Sequence, residues 1–337
     1  MQAAVWHGAD DLRIEDVRTP VLEKGEVLIK VKATGICGTD LMIYKGKFPR
    51  ARPPLVPGHE LAGEIVEVNE VPEGIKTGNM AVVNPLISCG TCVACRMGIP
   101  NVCQKLRVLG NDLDGSFAEF VKVSWKKLYI IDDDFPTDKA SLVEPSAVAY
   151  HGIKRSGCEV GDFVVVQGAG PIGMLTAMVA RIAGASGVAL TEVRKYRLEL
   201  AEKLGFIALD PAKYDVVKEI KSLTNNRGAD IVVNAAPVRQ AAEQMTKLIR
   251  PGGKIVVFAL YKEPAVVDLL NLTFTEGHVV GSRVYSEIDF ERAADLVRSG
   301  KLDVGPLITH RLGLKDALEG IEILEKGVGV MKVVLSP

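Results

Sequence analysis

Four cysteines fall within fifteen residues as Cys89-x2-Cys92-x2-Cys95-x7-Cys103, a spacing that suits a metal ion better than disulfide bridges. Four thiolates complete a tetrahedral zinc shell and leave no position for water or substrate, so the predicted site is closed and structural. Gly90 and Gly98 give the loop room to wrap around an ion. A second set is dispersed: Cys37 in Gly35-Ile36-Cys37-Gly38-Thr39-Asp40, and His59-Glu60 after Gly58. One thiolate, one imidazole and a carboxylate would form an open zinc site of the catalytic type. A lone cysteine and a lone histidine are more often core residues, so spacing alone leaves both readings open. His7, His278 and His310 have no motif around them, His151 reads as a core or helix-end residue, and Cys158 reads as a packed small hydrophobe.

A third constellation concerns phosphate. Gly168-Ala169-Gly170-Pro171-Ile172-Gly173 matches G-x-G-x-x-G, directly after a strand-like run and at the start of a helix-like one. Gly168 allows the tight turn, Gly170 the close approach of a pyrophosphate, and Gly173 close helix–strand packing. The helix N-terminus offers free N–H groups to the phosphates, and Pro171 sits where its missing N–H costs nothing. Glu192 ends the next strand, 19 positions after Gly173, where it can accept bonds from the adenosine ribose hydroxyls. A carboxylate there repels a 2′-phosphate and favours NAD over NADP. Arg194, Lys195 and Arg197 follow closely and soften that preference.

Two kinds of framework are needed to position these groups. Residues 1 to about 145 carry short β-rich runs (Val27–Val31, Leu61–Val68, Met80–Val83, Phe117–Val123) separated by breaks such as Phe48–Pro57. From about 146 to 285 strands and helices alternate: Phe163–Gln167, a helix carrying Ile172, Leu175, Val179 and Ile182 on one face, Val188–Thr191, and Lys195–Leu204. Then come Ile231–Asn234, a helix Arg239–Ile249 stopped by Pro251-Gly252-Gly253, and the strand Lys254–Ala259. That alternation predicts an α/β fold with a doubly wound parallel sheet. Two amphipathic helices, near Ile288–Arg298 and Leu314–Lys326, and a strand Val330–Leu335 could complete either domain.

The 337 residues, 47% hydrophobic and 25% charged, have ample material for two globular domains. Forty-one basic against forty-two acidic residues leave no global field to attract nucleic acid or an anionic membrane. Phe163–Ala180 is uncharged over 18 residues, the minimum for a membrane span, but its central glycines and Pro171 divide it into strand, turn and helix. No secretory signal opens the sequence. The expectation is a cytoplasmic protein with a small-molecule substrate and no nucleic-acid or membrane partner.

The order of Cys37-Gly38-Thr39-Asp40, Gly58-His59-Glu60, the four-cysteine loop, Val143-Glu144-Pro145 and the glycine fingerprint resembles the zinc-dependent medium-chain alcohol/polyol dehydrogenases, sorbitol dehydrogenase-like members among them. The similarity runs from the N-terminal strand to Lys332-Val333-Val334. The resemblance implies a β-rich GroES-like catalytic domain from residues 1–145 and 286–337, around an inserted Rossmann NAD-binding domain of residues 146–285. It implies two zinc ions per chain, the catalytic one held by Cys37 and His59 with Glu60 and Glu144 as carboxylate candidates, and Asp40 orienting a ligand. It also implies a homotetramer or dimer.

One departure stands out. Many sorbitol- and threonine-dehydrogenase relatives carry His two residues after the Asp of C-G-[ST]-D, and here that position is Met42. Proton release would then run through Thr39, a ribose hydroxyl, water or Glu144. The expected reaction is hydride transfer between NAD and a secondary alcohol, a polyol, sugar, sugar acid or cyclitol. The alternatives are amino-alcohol oxidation of the L-threonine 3-dehydrogenase kind and a zinc- and NAD-binding protein without turnover.

Overall fold

The computed structural model describes residues 1–337, and the chain divides into two compact units: Met1–Ala147 with Ser286–Pro337, and Val148–Tyr285. The first unit begins with a ribbon of β1 (Gln2–Gly8) and β2 (Asp11–Asp16), paired antiparallel. It continues through β3 (Glu26–Gly35), helix α1 (Gly38–Tyr44), β4 (Glu60–Asn69) and β5 (Met80–Val83). A small lobe follows, with β6 (Leu86–Ile87), helix α2 (Val93–Arg96) and β7 (Arg107–Val108); then come β8 (Phe120–Ser124), β9 (Leu128–Ile131) and helix α3 (Thr137–Ala140). The boundary between the units falls inside helix α4 (Val143–Ser156).

The second unit alternates β10 (Phe163–Gln167), α5 (Pro171–Ile182), β11 (Gly187–Thr191), α6 (Lys195–Lys203), β12 (Ile207–Leu209), α7 (Val216–Leu223), β13 (Ala229–Asn234), α8 (Arg239–Leu248), β14 (Ile249–Val257), α9 (Leu269–Phe274) and β15 (His278–Gly281). Its six strands are all parallel in the order β12-β11-β10-β13-β14-β15, the doubly wound arrangement with its switch point between β10 and β13. β10 and β13 are buried along their whole length, as expected of β-branched strands covered on both faces. Val165, Ala189, Val232 and Ile255 pack there against Ile220 and Leu248.

One expected boundary is corrected. Pro251-Gly252-Gly253 does not separate helix from strand; β14 begins at Ile249 and runs through it. Ile249 pairs with Ala229 and Lys254 with Ile231, so Arg250–Gly253 bulge out opposite Asp230. Gly252, at φ +69°, takes the left-handed turn that other residues resist, and Arg250 Nε bonds Asp230 Oδ1 to anchor the bulge.

The tail rejoins the first unit. Helix α10 (Glu287–Arg298) starts at a capping box of Ser286 and Asp289, and β16 (Ile308–Gly313), α11 (Ala317–Lys326) and β17 (Lys332–Ser336) follow. The seven-stranded sheet reads β16-β17-β3-β4-β5-β9, with β8 also on β3. β17 pairs antiparallel with the end of β3, Val334 opposite Gly35. Because β4 pairs with the same end, Glu60 opposite Gly35, three segments distant in sequence meet at one point.

Candidate active site and metal centres

That meeting point is where Cys37 and His59-Glu60 lie. Cys37 is the residue before α1, and its backbone N–H donates to Asp40 Oδ2 at 2.8 Å. The other oxygen of Asp40 accepts from Gly58 N at 3.3 Å, so one fully buried carboxylate ties the Cys37 turn to the His59 turn. Sγ of Cys37, a ring nitrogen of His59 and a carboxylate oxygen of Glu60 all lie within 4.8 Å of one another. His59 Nδ1 is buried without a hydrogen-bond partner, 3.6 Å from Asp40 Oδ1 and too far to bond it.

The electrostatics favour a cation here. Burial pulls the His59 pKa down, but the charges of Asp40 and Cys37 outweigh it and lift the pKa well above its ordinary value. A field that favours a proton on a buried imidazole also favours a metal ion beside it. Thiolate, imidazole and carboxylate form a donor set that zinc accepts, and the unpartnered ring nitrogen leaves ligand capacity unused, so these residues fit a zinc ion. Glu144, buried in the first turn of α4, adds negative charge felt by His59 and by Lys332, but the close cluster is Cys37, His59 and Glu60. Thr39 Oγ1 lies 3.8 Å from Cys37 Sγ. Met42 is half-buried on α1.

Lys332 is the residue that reading the sequence missed. Its Nζ donates to Glu60 Oε1 and Oε2 at 2.7 and 2.6 Å and to the Ile36 carbonyl at 3.2 Å, which uses all three of its protons. The only available signal is a lysine inside the apolar run Val330–Leu335, where a charge survives only if paired. Gly35 is required beside it, because any side chain there would overlap the Glu60 carboxylate.

The four-cysteine lobe is also assembled. Sγ–Sγ separations are 3.5 Å for Cys89–Cys103 and Cys92–Cys95, 3.8 Å for Cys92–Cys103 and 4.0 Å for Cys89–Cys95. Four sulfurs at about 2.3 Å from a tetrahedral zinc would be about 3.8 Å apart, so the thiols fit the ion. Backbone N–H groups of Thr91 and Cys92 pull the Cys89 thiol down to about 5, while burial pushes Cys95 up to about 11. Gly90 and Gly98 both adopt positive φ, +72° and +74°, as the wrapped loop requires.

In the second unit Gly168 has φ +99° and Gly173 lies so close to the Gly168 carbonyl that no side chain fits. Gly170 precedes α5 without a side-chain cap, leaving N–H groups of that turn, which holds Pro171 and Ile172, for an anion. Glu192 accepts from Ala169 N at 3.2 Å, Val193 N at 2.9 Å, Arg194 N at 3.1 Å and Arg197 Nη1 at 3.4 Å. It therefore fastens the glycine turn to the end of β11. Arg197 is mostly buried, with Nε unpartnered, and sits 3.4 Å from where a Gly170 side chain would begin.

A cavity of about 910 Å³ in the first unit, walled by Leu55, Val83, Leu109 and Val121, contains none of these ligands, so chemistry and not size locates the site. No helix is long and apolar enough to cross a membrane. His151 is buried, and Cys158 is half-buried with its thiol pushed up to about 11 by burial.

Comparison with known proteins agrees with this chemistry. Residues 23–133 match the alcohol dehydrogenase GroES-like domain and residues 171–299 the zinc-binding dehydrogenase domain. An L-threonine 3-dehydrogenase of Bacillus licheniformis is 36% identical across 98% of this chain and 96% of its own. A 2-dehydro-3-deoxy-L-galactonate 5-dehydrogenase of Pseudoalteromonas atlantica is 34% identical across 94% and 93%. A Sinorhizobium meliloti 1021 protein solved with NADP bound superposes with a TM-score of 0.94 at 33% identity, covering 100% of this chain and 99% of that one. The chain belongs to the zinc-dependent medium-chain alcohol/polyol dehydrogenases, oxidoreductases that act on an alcohol group with NAD or NADP.

Proposed function

We propose that the chain oxidises a secondary alcohol reversibly with NAD, the substrate being a polyol, sugar, sugar acid or cyclitol. The observation that carries this is the convergence of Cys37, His59 and Glu60 within 4.8 Å, a carboxylate-containing ligand set suited to polyol-type substrates. Residues 1–145 and 286–337 would form the catalytic domain and 146–285 the NAD-binding domain. When bound, zinc supplies Lewis acidity toward the substrate hydroxyl and the nicotinamide accepts hydride. Cys37 and His59 would hold the metal, Glu60 and Glu144 would supply carboxylate, and Asp40 ties the Cys37 turn to the turn that carries His59. With Met42 in place of a histidine, the departing proton would leave through the Thr39 hydroxyl, a ribose hydroxyl, water or Glu144. Glu192 selects NAD by repelling a 2′-phosphate, while Arg197 tempers that selection.

L-Threonine oxidation is the second reading, favoured by the 36% identical Bacillus licheniformis relative. Following NADH absorbance with a panel of polyols, sugar acids, cyclitols and L-threonine separates the two. Turnover of L-threonine alone would sink the polyol reading.

Two zinc ions per chain are proposed. Metal analysis of Cys37→Ser should show one equivalent lost together with activity and the fold kept, whereas Cys92→Ser should lose the other equivalent with a fall in Tm. A Cys37→Ser enzyme at full activity would overturn the assignment. We also propose a cytoplasmic homo-oligomer, dimer or tetramer. Its support is the unpaired edge strand β15, with Val279 44% exposed, beside Leu269, Leu270 and Phe274, all at least 65% exposed.

A further inference from the structure

Beneath the glycine turn the buried polar groups form a single chain of hydrogen bonds whose direction is fixed. The Ala241 carbonyl can only accept, so Gln167, bonded to it at 3.0 Å through Nε2, must present Oε1 at its other end. That oxygen accepts from Asn234 Nδ2 at 3.1 Å, which leaves Asn234 to present Oδ1. Oδ1 accepts from the Tyr261 hydroxyl at 3.0 Å, and the Ala236 carbonyl stands 3.3 Å from the same hydroxyl. Both neighbours are acceptors, so the one phenolic proton is committed inside the protein. The phenolic oxygen keeps its lone pairs and can only accept from anything else. Gln167 and Asn234 are 2% and 0% exposed, so their orientation has no water to fall back on, whereas Tyr261 is half-buried.

The place of this oxygen follows from the sheet order. Gln167 ends β10, Asn234 ends β13, and Tyr261 follows β14 by four residues. These are the carboxyl ends of three adjacent strands, the edge over which a dinucleotide lies in a doubly wound sheet. Glu192, the ribose-side acid, stands after β11 on the opposite side of the glycine turn, so Tyr261 lies on the side left for the nicotinamide half. The segment it tethers packs on the turn itself, since a side chain on Gly168 would begin 3.1 Å from Ala236 Cβ.

We propose that Tyr261 is a cofactor-binding residue whose phenolic oxygen, aimed by Asn234 and Gln167, accepts a hydrogen bond from a donor on the nicotinamide half, the carboxamide N–H or a ribose hydroxyl. The inference rests on the dinucleotide reading of the glycine motif and needs no knowledge of the alcohol. Titrating the full-length protein with NADH and with ADP, which lacks both the nicotinamide and its ribose, tests it. Tyr261→Phe should weaken NADH binding about 5- to 10-fold, the worth of one hydrogen bond, and leave ADP binding unchanged. ADP binding also reports that the variant is folded. The 3-acetylpyridine analogue, with methyl in place of the carboxamide nitrogen, tells the two donors apart. If the carboxamide is the donor, wild type binds the analogue weakly and Tyr261→Phe no longer discriminates; if a ribose hydroxyl is, the variant loses both ligands equally. Unchanged NADH binding, or equal loss of ADP binding, overturns the proposal while the dinucleotide reading stands. A wild-type protein that binds neither ligand overturns both.

Discussion

Lys332 and Glu60 form an ion pair whose side chains are 4% and 1% exposed, and its value lies in what each partner does to the other. Removing the ammonium leaves a carboxylate with no water to solvate it, a loss of about 3–5 kcal/mol where such pairs are broken on one side. Lys332→Met should therefore lower unfolding stability by that order and speed zinc release to a chromogenic chelator. Adding Glu60→Gln to Lys332→Met should recover most of the lost stability, because both charges are then gone. If the double variant unfolds as readily as the single one, the loss is one of packing and the pair does not position Glu60. The sequence gives this pairing no local signature: the two residues are 272 positions apart, and only the meeting of β3, β4 and β17 joins them.

At the scale of elements, the bulge in β14 shows how a buried charge holds irregular backbone. Burial would raise the Asp230 pKa, but the Phe163 N–H and the Arg250 guanidinium outweigh it, and the carboxyl is held below its ordinary value. A depressed carboxylate contributes stability that is present above the unfolded value near ~3.9 and lost as pH falls through the folded value. Asp230→Asn should cost about 1–2 kcal/mol at neutral pH in denaturant titrations. The gap from wild type should close below pH ~4; a gap that persists in acid would place the effect outside the charge. The same bulge explains an error of reading, since Pro-Gly-Gly looks like a stop to any local rule and only the register against β13 shows the strand continuing. By contrast β10 is legible to the residue and α5 as a helix beginning at the glycine turn, because an apolar β-branched run, that turn and Pro171 agree at every level. The edge elements β15 and β16 were not legible, being short and of mixed polarity.

For the whole molecule, the tail is what completes the first unit: β17 adds a strand to the sheet and delivers Lys332 beside Glu60. Element patterning left that tail free to join either domain, as amphipathic helices and one apolar strand carry no address; only the family resemblance assigned residues 286–337 to the domain of residues 1–145. Assembly poses the same problem one level up. The second unit ends at β15, whose outer backbone groups have no strand beside them, and the neighbouring helix α9 turns Leu269, Leu270 and Phe274 to solvent at 65%, 67% and 79% exposure. A monomer keeping such an edge and patch uncovered would be prone to association, and under the proposed homo-oligomer a second copy related by a two-fold axis would cover both with the same residues. Leu270→Glu with Phe274→Glu places two charges on that face without touching the buried core. The double variant should run as a monomer in light-scattering chromatography, with its far-ultraviolet dichroism unchanged and its dinucleotide affinity within about twofold of wild type. Wild type should elute as a dimer or a tetramer. A wild-type monomer, or a double variant that stays fully assembled, removes this face as the site of association.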